Sequence, residues 1–178
     1  KDGGTISGLI GQSYRLNRRT SFPPLSGLDT KFSDFVGRLD VSPNQYLSLQ
    51  YRFRLDKDSL ASRRSEIGAT VGPDLFKLNL TYIDVTPRGA TVSPFDRSKE
   101  IFAAASTQLS RYWRATIGHR HNLGPGGGAI RTEFLLQYDD ECFAFDFTVG
   151  RDNTSDRDFR SGTKVMLRFS LKTIGDLR

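Results

Sequence analysis

His119 and His121 form a His-x-His pair, a spacing and residue type suited to metal binding or proton transfer. No cysteine or carboxylate stands at a spacing that would complete a metal site around them. Their parity matches Trp113, Ala115 and Ile117, which places both imidazoles on an apolar face. Asp152-Asn153-Thr154-Ser155-Asp156-Arg157-Asp158 offers oxygen ligands without the spacing of an EF-hand loop, and reads as a solvated loop. Gly124-Pro125-Gly126-Gly127-Gly128 lacks the Lys-Ser/Thr of a phosphate loop. No serine is singled out as a nucleophile, so no catalytic residue, metal or cofactor is expected. Cys142 is the single cysteine. In an oxidising compartment it either finds a thiol elsewhere or stays free.

The elements that carry these residues are strands. Leu47, Leu49, Tyr51, Phe53 and Leu55 occupy one parity, and Ser48, Gln50, Arg52, Arg54 and Asp56 the other. Side chains alternate faces along a strand, so 46–56 has one apolar face and one polar, charged face. Phe143, Phe145, Phe147 and Val149 repeat the pattern, as do Val165, Leu167, Phe169 and Leu171. Strands are predicted over 5–16, 34–42, 46–56, 63–72, 75–85, 99–109, 112–122, 130–138, 142–151 and 163–173. Their length approaches the 9–11 residues a tilted strand needs to cross a bilayer. The sequence therefore predicts an all-β chain, an antiparallel up-and-down transmembrane β-barrel with about ten strands present, part of a larger barrel.

The connections support that reading. Turns at 42–45, 73–74, 110–111 and 139–141 are tight and polar, whereas 17–33, 57–62, 86–98, 123–129 and 152–162 are longer. Short and long alternate, as expected when all tight turns lie on the periplasmic side of an outer membrane and all loops outside. Residues 174–178 would then be periplasmic. A negative mean hydropathy does not oppose a membrane barrel, because only alternate residues face lipid. No run of 18 apolar residues exists, which excludes a transmembrane helix. The net charge of +6 is spread over polar faces and loops, without the dense basic helix of a nucleic-acid binder. The chain starts Lys1-Asp2-Gly3-Gly4, so an export signal is expected upstream and the chain is expected to be a piece of a longer protein.

Tyr138-Asp139-Asp140-Glu141-Cys142-Phe143, the following alternating strand and the loop Arg157-Asp158 resemble the C-terminal part of the LPS-assembly LptD family (OstA/Imp). The ending Leu167-Arg168-Phe169-Ser170-Leu171-Lys172-Thr173-Ile174-Gly175-Asp176 is similar to alphaproteobacterial members. The resemblance is sharpest over 137–176. It implies that all of 1–178 is the C-terminal portion of a very large outer-membrane barrel. That barrel would be plugged by an LptE-type lipoprotein and joined to a periplasmic N-terminal domain. Such a barrel receives lipopolysaccharide from periplasmic bridge proteins and inserts it into the outer leaflet, a transport function without enzyme chemistry. Better-known members carry two adjacent cysteines at this turn. Here Glu141 stands in the first place, so the resemblance assigns Cys142 one disulfide to the upstream region. Residues 163–173 would form one wall of a lateral exit seam. Ser161, Gly162, Val165 and Leu167 also fit the spacing of an outer-membrane assembly signal.

The basic residues expected on the inward parity are Arg52, Arg54, Lys77, Arg114, Arg131, Lys164, Arg168 and Lys172. They are candidates for contact with lipopolysaccharide phosphates, core sugars or the plug. The competing reading is that they pair with the inward acids Asp56, Glu66, Glu100, Glu133 and Asp146. Outward aromatics at Trp113, Tyr138 and Phe143 suit an interfacial girdle on the tight-turn side. Against the family reading stand a porin-like or adhesin-like barrel and a soluble β-barrel binding module. Nucleic acid is not an expected partner; outer-membrane lipid is.

Overall fold

The computed structural model describes residues 3–16, 28, 30–86, 98–154 and 161–172. The expected connections 17–33, 86–98 and 152–162 lie partly outside the described residues, and 174–178 wholly so. Ten strands form one antiparallel sheet in strict chain order. They are β1 (Thr5–Gly11), β2 (Phe35–Asn44), β3 (Leu47–Leu55), β4 (Ser62–Val71), β5 (Phe76–Val85), β6 (Ser98–Gln108), β7 (Trp113–Asn122), β8 (Gly128–Asp139), β9 (Phe143–Asp152) and β10 (Gly162–Leu171). Among the described residues there is no helix.

All ten expected strands are present. The largest difference is β1, which stops at Gly11 instead of continuing to 16. Gln12 Nε2 donates to the Ser33 carbonyl (2.9 Å) and the Ser13 amide donates to Ser33 Oγ (2.8 Å). These side-chain bonds displace the ladder, as short polar side chains do when they offer the backbone another partner. Only an isolated bridge, Tyr14 to Phe32, follows.

The tight turns are built by local hydrogen bonding. Between β2 and β3, the Tyr46 amide donates to Asn44 Oδ1 (2.8 Å). Between β8 and β9, Asp140 Oδ1 accepts from the amides of Cys142 (2.7 Å) and Phe143 (2.8 Å), and Tyr138 Oη donates to Oδ2 (2.9 Å). Asn and Asp favour such Asx-type turns because the side chain reproduces a backbone acceptor.

Register gives the two faces. Tyr51 lies opposite Leu39 and Ile67, Leu80 opposite Ala69 and Ala103, Leu136 opposite Ala115 and Phe147, and Leu167 opposite Phe147. Residues directly opposite share a face, so one apolar surface runs across β1 to β10. Among the described residues no hydrophobic side chain is buried, and the buried side chains are the polar Ser33, Asp34 and Asp56. A soluble sandwich would bury its apolar face against a second layer; among the described residues this sheet has none. Aromatics cluster at its tight-turn end, with Tyr138 5.0 Å from both Trp113 and Phe143 between ring centroids.

Candidate functional site

The opposite face carries the charges in three groups. In the first, Arg38 lies directly opposite Arg52, and Arg54 opposite Arg64. Like charges facing each other across a ladder repel, and three carboxylates offset them. Arg38 Nε lies 2.6 Å from Asp40, and Gln50 also donates to Asp40 (2.8 Å). Arg52 and Arg64 share Glu66 at 3.2 and 3.0 Å, one on each oxygen. Arg54 Nε reaches the buried Asp34 at 2.8 Å. Leu9 and Val36 border the shallow cleft between these side chains. A guanidinium has five N–H donors, so one carboxylate does not saturate it.

The second group lies on β5 to β8. Thr81, Ile83, Phe102 and Gly118 floor a cleft edged by Arg120, Arg131 and Glu133. A β-carbon at Gly118 would lie 3.3 Å from the Phe102 ring, so the missing side chain lets the aromatic lie across β7. Arg120 and Arg131 face each other across the ladder. Glu100 holds the first (2.8 Å), while Glu133 (2.9 Å) and Asp152 (3.7 Å) hold the second. This cleft joins apolar surface to guanidinium groups, the combination that a phosphorylated amphiphile would match.

The third group ties β10 to its neighbours. Lys164 meets Asp152 at 3.0 Å, Arg168 Nε meets Asp146 at 2.8 Å, and Lys172 meets Asp139. Gln137 also donates to Asp146 (3.0 Å).

The eight basic residues named from sequence all lie on this polar face, but they do not form one site. Arg52 and Arg54 belong to the first group and Arg131 to the second. Lys164, Arg168 and Lys172 belong to the third. Lys77 sits at a tight turn against Asp74, and Arg114 donates to Gln108 (3.2 Å). Glu66, Glu100, Glu133 and Asp146 accept from basic residues on this face as expected. Asp56 differs: β3 ends at Leu55, and Asp56 is buried in the β3–β4 connection. There it accepts from the amides of Asp58 and Ser59 (both 3.0 Å) and from Arg63 (2.8 Å). Those amides, Ser59 foremost, and the Arg63 guanidinium hold its carboxyl far below the usual range.

Arg38, Arg64 and Arg120 were not singled out from sequence as contacts, although each lies on the polar parity of its strand. Cross-strand register, which the sequence does not spell out, is what gathers them. Phe102 and Leu135 also face the polar side, against the simple rule that apolar residues share one face. Cys142 is exposed and unbridged in this chain, directly after Asp140 at the tight turn. His119 and His121 lie on the apolar face with ring centroids 5.9 Å apart. Among the described residues no three His, Cys, Asp or Glu side chains converge on a metal position.

Up-and-down connectivity, an apolar face, an ion-paired polar face and no buried apolar layer define a sheet of the β-barrel class. The family model for LptD, LPS transport system D, matches residues 1–113. The chain therefore belongs to the LptD family, and through it to lipopolysaccharide transport. The matched span runs from β1 to the first residue of β7. The residues that carry the resemblance in sequence, 137–176, lie beyond it. Comparison with curated proteins gives no match.

Proposed function

We propose that this chain is the C-terminal portion of an outer-membrane barrel that passes lipopolysaccharide through a polar lumen and inserts it into the outer leaflet. The apolar face meets lipid and the ion-paired face lines the lumen. Tight turns are periplasmic and the longer connections are external. The observation that carries this reading is a two-faced sheet without an apolar core, in a chain of the LptD family. Hydrocarbon satisfies the apolar face, and a watery lumen keeps the many charges hydrated.

The arginine groups on β2–β4 and β5–β8 then supply donors to lipid phosphates along the path. An LptE-type lipoprotein would contact the same surface as plug, and periplasmic bridge proteins would deliver substrate through an upstream domain. Cys142, exposed at the β8–β9 turn, would form one disulfide with that domain. β10 stands at the end of the strand order, and Leu171 is 89% exposed. An edge of this kind suits one wall of a lateral exit seam.

The test is electrophoresis of the full-length protein from outer membranes, with and without reductant, beside Cys142→Ser. A mobility difference that disappears in the variant is expected. Identical migration in all lanes removes the interdomain bridge and moves a porin-like barrel ahead.

A further inference from the structure

The lysines and arginines on the polar face each have a carboxylate or amide partner. Among all lysines and arginines on the ten strands, Arg151 stands apart: among the described residues neither a carboxylate nor an amide pairs with it. It is exposed, and it lies on the apolar face, on the parity of Phe147 and Val149. A cation at the border of a lipid-facing surface, without a counter-charge from the protein, attracts an anion from its surroundings.

Arg151 is not isolated from other polar groups. Register sets it directly opposite Thr132 on β8 and Thr163 on β10, and Thr132 in turn opposite His119 on β7. His119, Thr132, Arg151 and Thr163 thus form one row across four adjacent strands of an otherwise apolar surface. Neighbouring strands lie about 4.8 Å apart, so the row spans roughly 14 Å. His119 Nδ1 lies 2.8 Å from Thr132 Oγ1, which orients the ring, and His121 stands beside it. The row lies toward the end of the sheet that carries the 123–127 and 153–161 connections. Further along that end Asp84 and Lys99 face each other at 3.6 Å. That neighbouring carboxylate therefore already has a cation of its own.

We propose that this row binds the phosphate of an outer-leaflet lipid headgroup from outside the barrel. This rests on the membrane orientation proposed above, which sets the row at the level of external headgroups. A guanidinium presents two parallel N–H donors to phosphate, and flanking threonine hydroxyls and imidazole N–H complete a donor-rich strip. The Arg151 stem lies along the apolar surface while its head reaches the interface.

The experiment reconstitutes the full-length protein in phosphatidylcholine nanodiscs doped with diphosphorylated lipid A, then measures lipid A retained after detergent extraction by mass spectrometry. Arg151→Gln is expected to lower retention about tenfold, the size expected for losing one charge-assisted bond. Arg151→Lys, which keeps the charge and loses the paired donors, should restore part of it, which separates lost charge from a folding defect. Dephosphorylated lipid A should be insensitive to all variants. In parallel, acyl-brominated lipid should quench the emission that Trp113→Phe removes. Quenching with unchanged lipid A retention in Arg151→Gln overturns this inference alone. Absence of quenching overturns the membrane orientation, and the inference with it.

Discussion

The polar face holds its cations in two different ways. On β2–β4, Arg38, Arg52, Arg54 and Arg64 gather around Asp34, Asp40 and Glu66, four basic groups against three acidic among the described residues. At the β9–β10 edge, Lys164, Arg168 and Lys172 meet Asp152, Asp146 and Asp139, three against three. The first set shares acids and faces like charge across the ladder; the second is matched group for group. Arg52 and Arg64, which share one carboxylate, keep N–H donors that a phosphate can exploit. A balanced set instead staples strands together. On the function proposed above, the same residue types would serve a passing ligand in one region and the sheet edge in the other.

Separating the two roles is the sharpest test of that contrast. Arg52→Gln with Arg64→Gln should reduce binding of diphosphorylated lipid A about a hundredfold or more, each lost charge-assisted bond being worth about 1.5–3 kcal/mol. Amide hydrogen exchange on β10 should be unaffected. Equal losses of binding from Arg168→Gln would abolish the distinction. A smaller effect is expected from Asp146→Asn, which leaves Arg168 without its carboxylate. Exchange of β10 amides should quicken by about fivefold, corresponding to ~1 kcal/mol for a partly solvated pair. If β10 exchanges at the wild-type rate, the balanced set is not a staple.

The smallest effect concerns acid. Asp140 at the β8–β9 turn is lowered by amide hydrogen bonds from Phe143 and then Cys142. A carboxyl lowered in the folded state contributes stability above its unfolded value, and that contribution is lost as pH falls toward the folded value. Below about pH 4, the ordinary carboxylate range, the Cys142 turn and the Asp56 loop should loosen. Exchange of the Cys142, Phe143, Asp58 and Ser59 amides against pH would register this. Asp140→Asn should flatten the profile at the first pair only.

Much of this fold was legible because period-two alternation is written into the chain. Tyr51, Phe53 and Leu55 announce a face, and the tight turns announce themselves through Asn44, Pro73-Asp74 and Asp140. What was not legible depends on register. Nothing near Arg38 in sequence says that Arg52 stands opposite it, or that Glu66 is shared by Arg52 and Arg64. The early end of β1 came from side-chain bonds to Ser33, some twenty residues away in sequence. Phe102 escaped notice because its neighbour Ile101 satisfies the apolar parity, while Gly118 opens the space that admits its ring. The candidate site was therefore readable as a set of basic residues, and not as three groups.

Each strand pairs only with those before and after it in the chain. Within this sheet β2 to β9 complete both ladders with their sequence neighbours, so the sheet can be laid down hairpin by hairpin in chain order. The circumference of such an architecture is counted in hairpins. Two strands can be gained or lost at a tight turn without rerouting the rest, which makes pore width a quantity that evolution can adjust in discrete steps.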